Sequence, residues 1–180
     1  MDFLGRIKLL FEYFKRKDMT LREFAIGMNS EVSIKKDLHI LFFDFDEVTQ
    51  EEAEESIVEC LAFWNLSDCF LYETSNGFHA YFYYDIMPYT RVRMIIDFAK
   101  YVDPMFKFIG RFYDYKTIRQ AGKYKVQDIS FLKMIPGKRT PTLKEAELGD
   151  LKRKEREYLS QMHGILKSDA LKDKIVTTIK

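Results

Sequence analysis

Apolar positions along this chain change period several times, and each change marks an element. Phe3, Ile7, Leu10, Phe11 and Phe14 recur at helical spacing over residues 3–15, and residues 22–28 (REFAIGM) read as a short strand. The dense apolar run of residues 39–46 (HILFFDFD) reads as a buried central strand. A helix start follows. Thr49 and Glu52 form the T-x-x-E capping-box pattern, and Ala53, Ile57, Cys60, Leu61 and Trp64 then repeat at helical spacing. Residues 69–75 and 78–84 are aromatic, strand-like runs with Asn76–Gly77 between them, a strong hairpin signal. Pro88 and Thr90 open a second helix with Val92, Ile95, Ile96, Ala99 and Val102 on one side, and residues 106–119 and 126–135 look like further strands. Gly137 marks a turn, and the pattern is helical from Leu143 onward, with Gly164 a break between two helices. The order predicts an α+β fold: a mixed or antiparallel sheet with helices packed on one face, the other face open, and C-terminal helices added. Residues 1–140 would form the core and 141–180 the helical extension.

Composition narrows this only in places. With 180 residues, 47% of them hydrophobic, the chain can build a real core. The net charge of +1 names no partner by itself, but Lys138, Arg139, Lys144, Lys152, Arg153, Lys154 and Arg156 cluster late in the chain. They form either a solvated helix face interleaved with Glu or a surface that follows phosphates. Cys60 and Cys69 are the only cysteines, with no CxxC pair, which excludes a cysteine-rich zinc site and argues against a disulfide framework. There is no signal-peptide pattern and no stretch apolar and long enough to span a bilayer, so an intracellular, cytoplasmic protein without a membrane partner is expected.

The chemistry concentrates at the end of the central strand. Asp44 and Asp46 are separated by one residue, so they share a face, about 7 Å apart along the backbone. Two carboxylates so placed repel unless a cation or donor lies between them, which makes the pair a natural clamp for divalent metal. Parity in the second hairpin strand sets His79, Tyr81 and Tyr83 on one face and Phe78, Ala80, Phe82 and Tyr84 on the other. The second set is the more apolar and belongs against the helices. His79 then joins the carboxylates on the open face if the hairpin pairs beside the central strand, and Tyr81 and Tyr83 become candidate platforms for bases.

These residues resemble the archaeo-eukaryotic primase superfamily. FFDFD matches its hhhDhD motif, SNGFHAYF (Ser75 to Phe82) resembles its second motif, and Arg22–Ala25 is similar to the Arg-Glu-Phe stretch ahead of the metal strand in the small catalytic subunit of replicative primases. RFYDYK offers Asp114 as a third acid, with Asp103 and Asp128 as competitors, and Arg119 and Lys123 follow in a basic segment similar to the family's. The resemblance covers roughly residues 20–135. It implies an RRM-like primase core and template-directed nucleotidyl transfer in DNA replication or repair. Asp44, Asp46 and Asp114 would be catalytic and hold two Mg²⁺ or Mn²⁺ ions about 4 Å apart. Ser75, His79, Arg119 and Lys123 would bind the nucleoside triphosphate. Template and primer are implied partners, with an accessory subunit or helicase. The zinc knuckle of many members has no counterpart here.

Two other classes compete. FDFDEVTQ and ETSNG also resemble the first two motifs of haloacid-dehalogenase-like phosphatases, with Asp44 as nucleophile and Asp46 as acid/base. That fold needs a helix after Ser75, where this sequence is strand-like, and a late acidic pair that Asp150 does not supply. A non-catalytic nucleic-acid-binding module of RNA-recognition type would explain the aromatic strands but not the acids.

Overall fold

The computed structural model describes residues 26–32, 37–112, 115–121 and 129–167. The helix expected over residues 3–15 and the Arg22–Ala25 motif lie outside them. The order is β1 (Ile26–Asn29), β2 (His39–Asp46), α1 (Gln50–Trp64), β3 (Cys69–Glu73), β4 (Gly77–Met87), α2 (Tyr89–Phe98), α3 (Pro104–Ile109), β5 (Thr117–Ala121), β6 (Ser130–Ile135) and α4 (Leu143–Lys167). The class is α+β. A four-stranded sheet has the order β2-β4-β3-β6, β1 and β5 form a separate two-stranded ribbon, and every pairing is antiparallel.

The local signals explain most of these elements. Thr49 accepts from the Glu52 N–H, and the Glu52 carboxylate accepts from the Thr49 N–H, so the capping box closes as the sequence predicts. Between β3 and β4 the chain turns through residues 74–76, where the Thr74 N–H donates to the Gly77 carbonyl at 2.9 Å. Gly77 itself pairs with Asp46, and a Cβ there would overlap the Phe45 carbonyl oxygen, so only glycine lets the two strands close at this end. Higher up, Tyr83 to Ile86 lie opposite Ile40 alone. This irregularity bends β4 and turns Tyr84 toward α4, where its hydroxyl donates to Asp150.

One layer of the core follows the predicted parity. Leu41, Phe43, Phe45, Ala80 and Phe82 are fully buried on the face that receives Ala53, Ile57, Cys60 and Leu61 of α1 and Val92, Ile95 and Ile96 of α2. The ribbon is tied in through Ser30. Its N–H donates to the Lys116 carbonyl at 2.8 Å, its carbonyl accepts from Ile40 N–H at 3.0 Å, and its hydroxyl accepts from Lys116 N–H at 3.0 Å.

Three expectations fail. Residues 106–119 are not one strand: Asp103 caps α3 by accepting from the Phe106 N–H at 2.6 Å, Pro104 sits in the first helical turn, and a strand begins only at Thr117. The alternating Phe106 and Phe108 imitate a strand, but the Asp–Pro start overrides them. Gly164 does not break the last helix, which runs unbroken from Leu143 to Lys167; a single glycine costs a helix only about 1 kcal/mol. The second sheet face is not open. α4 packs along β4 and against the ribbon, over the face that carries Tyr72, Tyr81 and Tyr83. Among the described residues no helix is long and apolar enough to cross a membrane.

Candidate functional site

The C-terminal end of β2 is where the sheet becomes polar. Asp44 lies directly across the ladder from His79, and Asp46 lies across from Gly77. Antiparallel partners share a face, so the Asp44 carboxylate and the His79 ring meet, with Nε2 at 3.2 Å from Oδ1. On its other side His79 Nδ1 lies 3.4 Å from the Tyr81 hydroxyl. In a neutral ring, Nε2–H donates to Asp44 and Nδ1 accepts from Tyr81. The imidazole is buried, whereas the Asp44 side chain is 23% exposed and Asp46 is exposed. The histidine thus orients one acid from beneath and leaves Oδ2 for another partner.

Asp103, the first rival for third acid, comes near by its backbone. Its N–H donates to the Asp44 carbonyl at 2.8 Å, while its carboxylate is occupied with capping α3. Asp114, Asp128 and Lys123 lie outside the described residues. Arg119 falls in β5, its backbone opposite Gly27. Ser75 is exposed in the β3–β4 turn, next to Asn76, whose carbonyl accepts from Glu47 N–H just beyond Asp46. The hairpin therefore brings Ser75, His79, Asp44 and Asp46 to one end of one sheet.

The donors present suit a hard divalent cation. Two carboxylates on one strand face, one steadied by a histidine and both reaching solvent, supply oxygen ligands of the kind that Mg²⁺ and Mn²⁺ prefer. Among the described residues no three His, Cys, Asp or Glu side chains gather within ligating reach.

Two cations belong to this neighbourhood that the motif reading passed over. Lys116 is buried, and its ammonium bonds the Phe106 carbonyl and lies 4.2 Å from the Phe106 ring centroid. Burial pulls its pKa down to about 8, opposed by the negative charges of Asp97, Asp103 and Asp44. Arg156 of α4 is buried over the Tyr72 ring. It belongs to the late basic cluster, and its spacing of four from buried Lys152 was the available signal that these two point inward. Lys138, Lys144 and Lys154 are exposed, so the cluster is divided rather than one solvated face. Tyr81 and Tyr83 are fully buried and stacked on each other, 5.3 Å between centroids, which removes them as base platforms.

No family model matches this chain, and no curated protein or solved structure matches it either.

Proposed function

We propose that this chain is a metal-dependent nucleotidyltransferase of the primase kind, adding nucleotides to a nucleic-acid strand on a template. The observation that carries the reading is the Asp44–His79 pair at the end of β2, with Asp46 beside it on the same face. Asp44 and Asp46 would hold Mg²⁺ or Mn²⁺, with Asp114 as the third acid. Bound there, the ions would lower the pKa of an attacking 3′-hydroxyl and neutralise charge on departing pyrophosphate. The protein's part is positioning. His79 fixes the Asp44 carboxylate through Nε2, and Ser75 at the turn, with Arg119 and Lys123, would receive the nucleoside triphosphate. An intracellular setting, nucleoid-associated in a cell, and an accessory subunit or helicase go with that activity.

An RRM-like core is the finer fold reading. β2, α1 and β3 with β4 inserted between the strands make a split βαβ unit, as such a core requires. Its last strand would be expected beside β2, whereas β6 pairs with β3 at the far edge. Two observations favour nucleotidyl transfer over the rivals. The chain after Ser75 is strand β4, where the phosphatase needs a helix. The aromatics that a binding module would offer to bases are buried beneath α4.

The test is incorporation of labelled nucleotides on primed and unprimed templates with Mg²⁺ or Mn²⁺. Asp44→Asn and Asp46→Asn should each lower the rate at least about a hundredfold, and His79→Asn about ten- to a hundredfold. A wild-type protein that incorporates nothing but hydrolyses simple phosphate esters would establish the phosphatase instead. Salt-sensitive nucleic-acid binding with neither activity would establish the binding module.

A further inference from the structure

Arg156 is 6% exposed, yet among the described residues its Nε and Nη2 have no hydrogen-bond partner. Neighbouring cations of α4 and its approach have carboxylate partners: Arg139 pairs with Asp85 and Glu145, Lys152 with Glu155, and Arg153 with Asp150 through Nη2, although Arg153 Nε also lacks a hydrogen bond among the described residues. The contacts of Arg156 among the described residues are aromatic, with its guanidinium carbon 3.5 Å from the Tyr72 ring centroid and 5.6 Å from that of Tyr81. The buried Tyr83 hydroxyl, near enough for Arg156 to influence its ionisation, also lacks a hydrogen bond of good geometry among the described residues. Tyr72 approaches that hydroxyl closely enough to help burial push its pKa up, but not in bonding geometry.

All three unfilled groups can donate, and none is an anion. A buried charge with open donors costs more than a cation–π contact returns, so the arrangement is incomplete without an acceptor. The place is specific. Tyr72 lies directly across the ladder from His79, and Tyr81 touches His79 Nδ1, so Arg156 stands on the same sheet face as Asp44. A guanidinium fork matches the oxygens of phosphate two at a time.

We propose that α4 and the sheet form an anion site in which Arg156, with the Tyr83 hydroxyl, binds a phosphate group, and that its ligand is a polyphosphate reaching from Arg156 toward Asp44 and Asp46. The anion site stands on Arg156 alone; the polyphosphate class rests on the reading of Asp44 and Asp46 as a divalent-ion clamp. Tyr72 and Asp44 stand on β3 and β2, on either side of β4, about 10 Å apart by strand spacing, so a nucleoside triphosphate, or pyrophosphate carrying divalent ions, has the charge to be held from both sides.

The experiment is calorimetric titration of the intact protein with inorganic pyrophosphate, with and without Mg²⁺, beside melting temperatures of the ligand-free proteins. The wild type should bind pyrophosphate without Mg²⁺ and more tightly with it. Arg156→Met should weaken both at least tenfold while melting no lower than wild type, and Arg156→Lys should retain part of the affinity. Asp46→Asn should abolish only the Mg²⁺-dependent gain. A wild type that does not bind pyrophosphate, or an Arg156→Met protein that binds it unchanged, overturns the site. So does a melting temperature several degrees lower in both Arg156 variants with no pyrophosphate effect, since that marks a structural cation. Pyrophosphate binding lost with Arg156 in a protein that incorporates no nucleotide would refute the proposed activity and keep the site. Incorporation with unchanged nucleotide KM in Arg156→Met would do the reverse.

Discussion

Lys116 puts a positive charge where the fold leaves it almost no water. The residue is 2% exposed, and its ammonium is held by the Phe106 carbonyl and the Phe106 ring. Burial takes the pKa from 10.5 to about 8, with Asp97, Asp103 and Asp44 limiting the fall. A lysine that loses its proton more readily when folded makes the native state bind fewer protons between those two values, so its charge penalises folding fully below pH 8 and not at all above about 10.5. Lys116→Met should therefore stabilise the protein by about 1–3 kcal/mol at pH 7. That advantage should shrink as pH rises from 8 to 10.5. Urea denaturation of both proteins across this range measures the difference, and a less stable variant at pH 7 would show that the ammonium's contacts outweigh its desolvation. The same residue explains a limit of motif reading. Lys116 sits between the acid and the arginine that the primase resemblance highlights, yet its role here follows from α3 folding back over it, which no local pattern announces.

At the scale of elements, the site is a consequence of register. Asp44 meets His79 because β2 and β4 pair with Phe45 opposite Phe78 and Asp46 opposite Gly77. A slip of one residue would put the acids and the imidazole on opposite faces. Gly77 is the pin, because any side chain there meets the Phe45 carbonyl. Gly77→Ala should cost about 1–3 kcal/mol in chemical denaturation and should also reduce nucleotide incorporation, since Asp46 is its ladder partner. Thr49→Ala, at the α1 cap and outside the β2–β4 ladder, should cost about 1 kcal/mol and leave turnover unchanged, which separates lost register from lost stability. The parts that could be read in advance are the ones governed by short-range rules. Period-two alternation put His79 with Asp44, and the capping box placed the start of α1. The α3 segment escapes these rules because Phe106 and Phe108 alternate over too few residues to distinguish a strand from one and a half helical turns, while Asp103–Pro104 carries the decisive signal.

The position of α4 decides what the whole molecule can do, and it was the least legible feature. An amphipathic pattern shows that a helix has an inward face but not which surface it covers. The contacts that place it join Lys152 to the Asn29 carbonyl and Arg156 to Tyr72, partners far apart along the chain. Its approach is fixed by Arg139. That side chain donates through Nε and Nη2 to Asp85, through Nη1 to Glu145 in the first turn of α4, and through Nη2 to the Tyr84 carbonyl at 2.8 Å. Asp85 is 1% exposed and also accepts from the Ser67 N–H and hydroxyl, so one buried carboxylate joins the loop after α1, strand β4 and the entry to α4. Burial raises the Asp85 pKa in spite of these bonds, among which Arg139 lowers it. Removing the guanidinium leaves a buried carboxylate with less to hold its charge. Arg139→Met should cost about 3–5 kcal/mol near neutral pH, accelerate hydrogen exchange along α4 and uncover the tyrosines beneath it. Asp85 is already raised by burial in the wild type and would be raised further without Arg139, so the variant's deficit should be smallest near pH 4, where both proteins carry the protonated acid, and widen as rising pH forces the variant's carboxylate to ionise. Denaturation at pH 4 and pH 7 with exchange rates for α4 tests the two effects together. A deficit independent of pH would mean that Arg139 acts through Glu145 and the Tyr84 carbonyl, with Asp85 held by Ser67 alone.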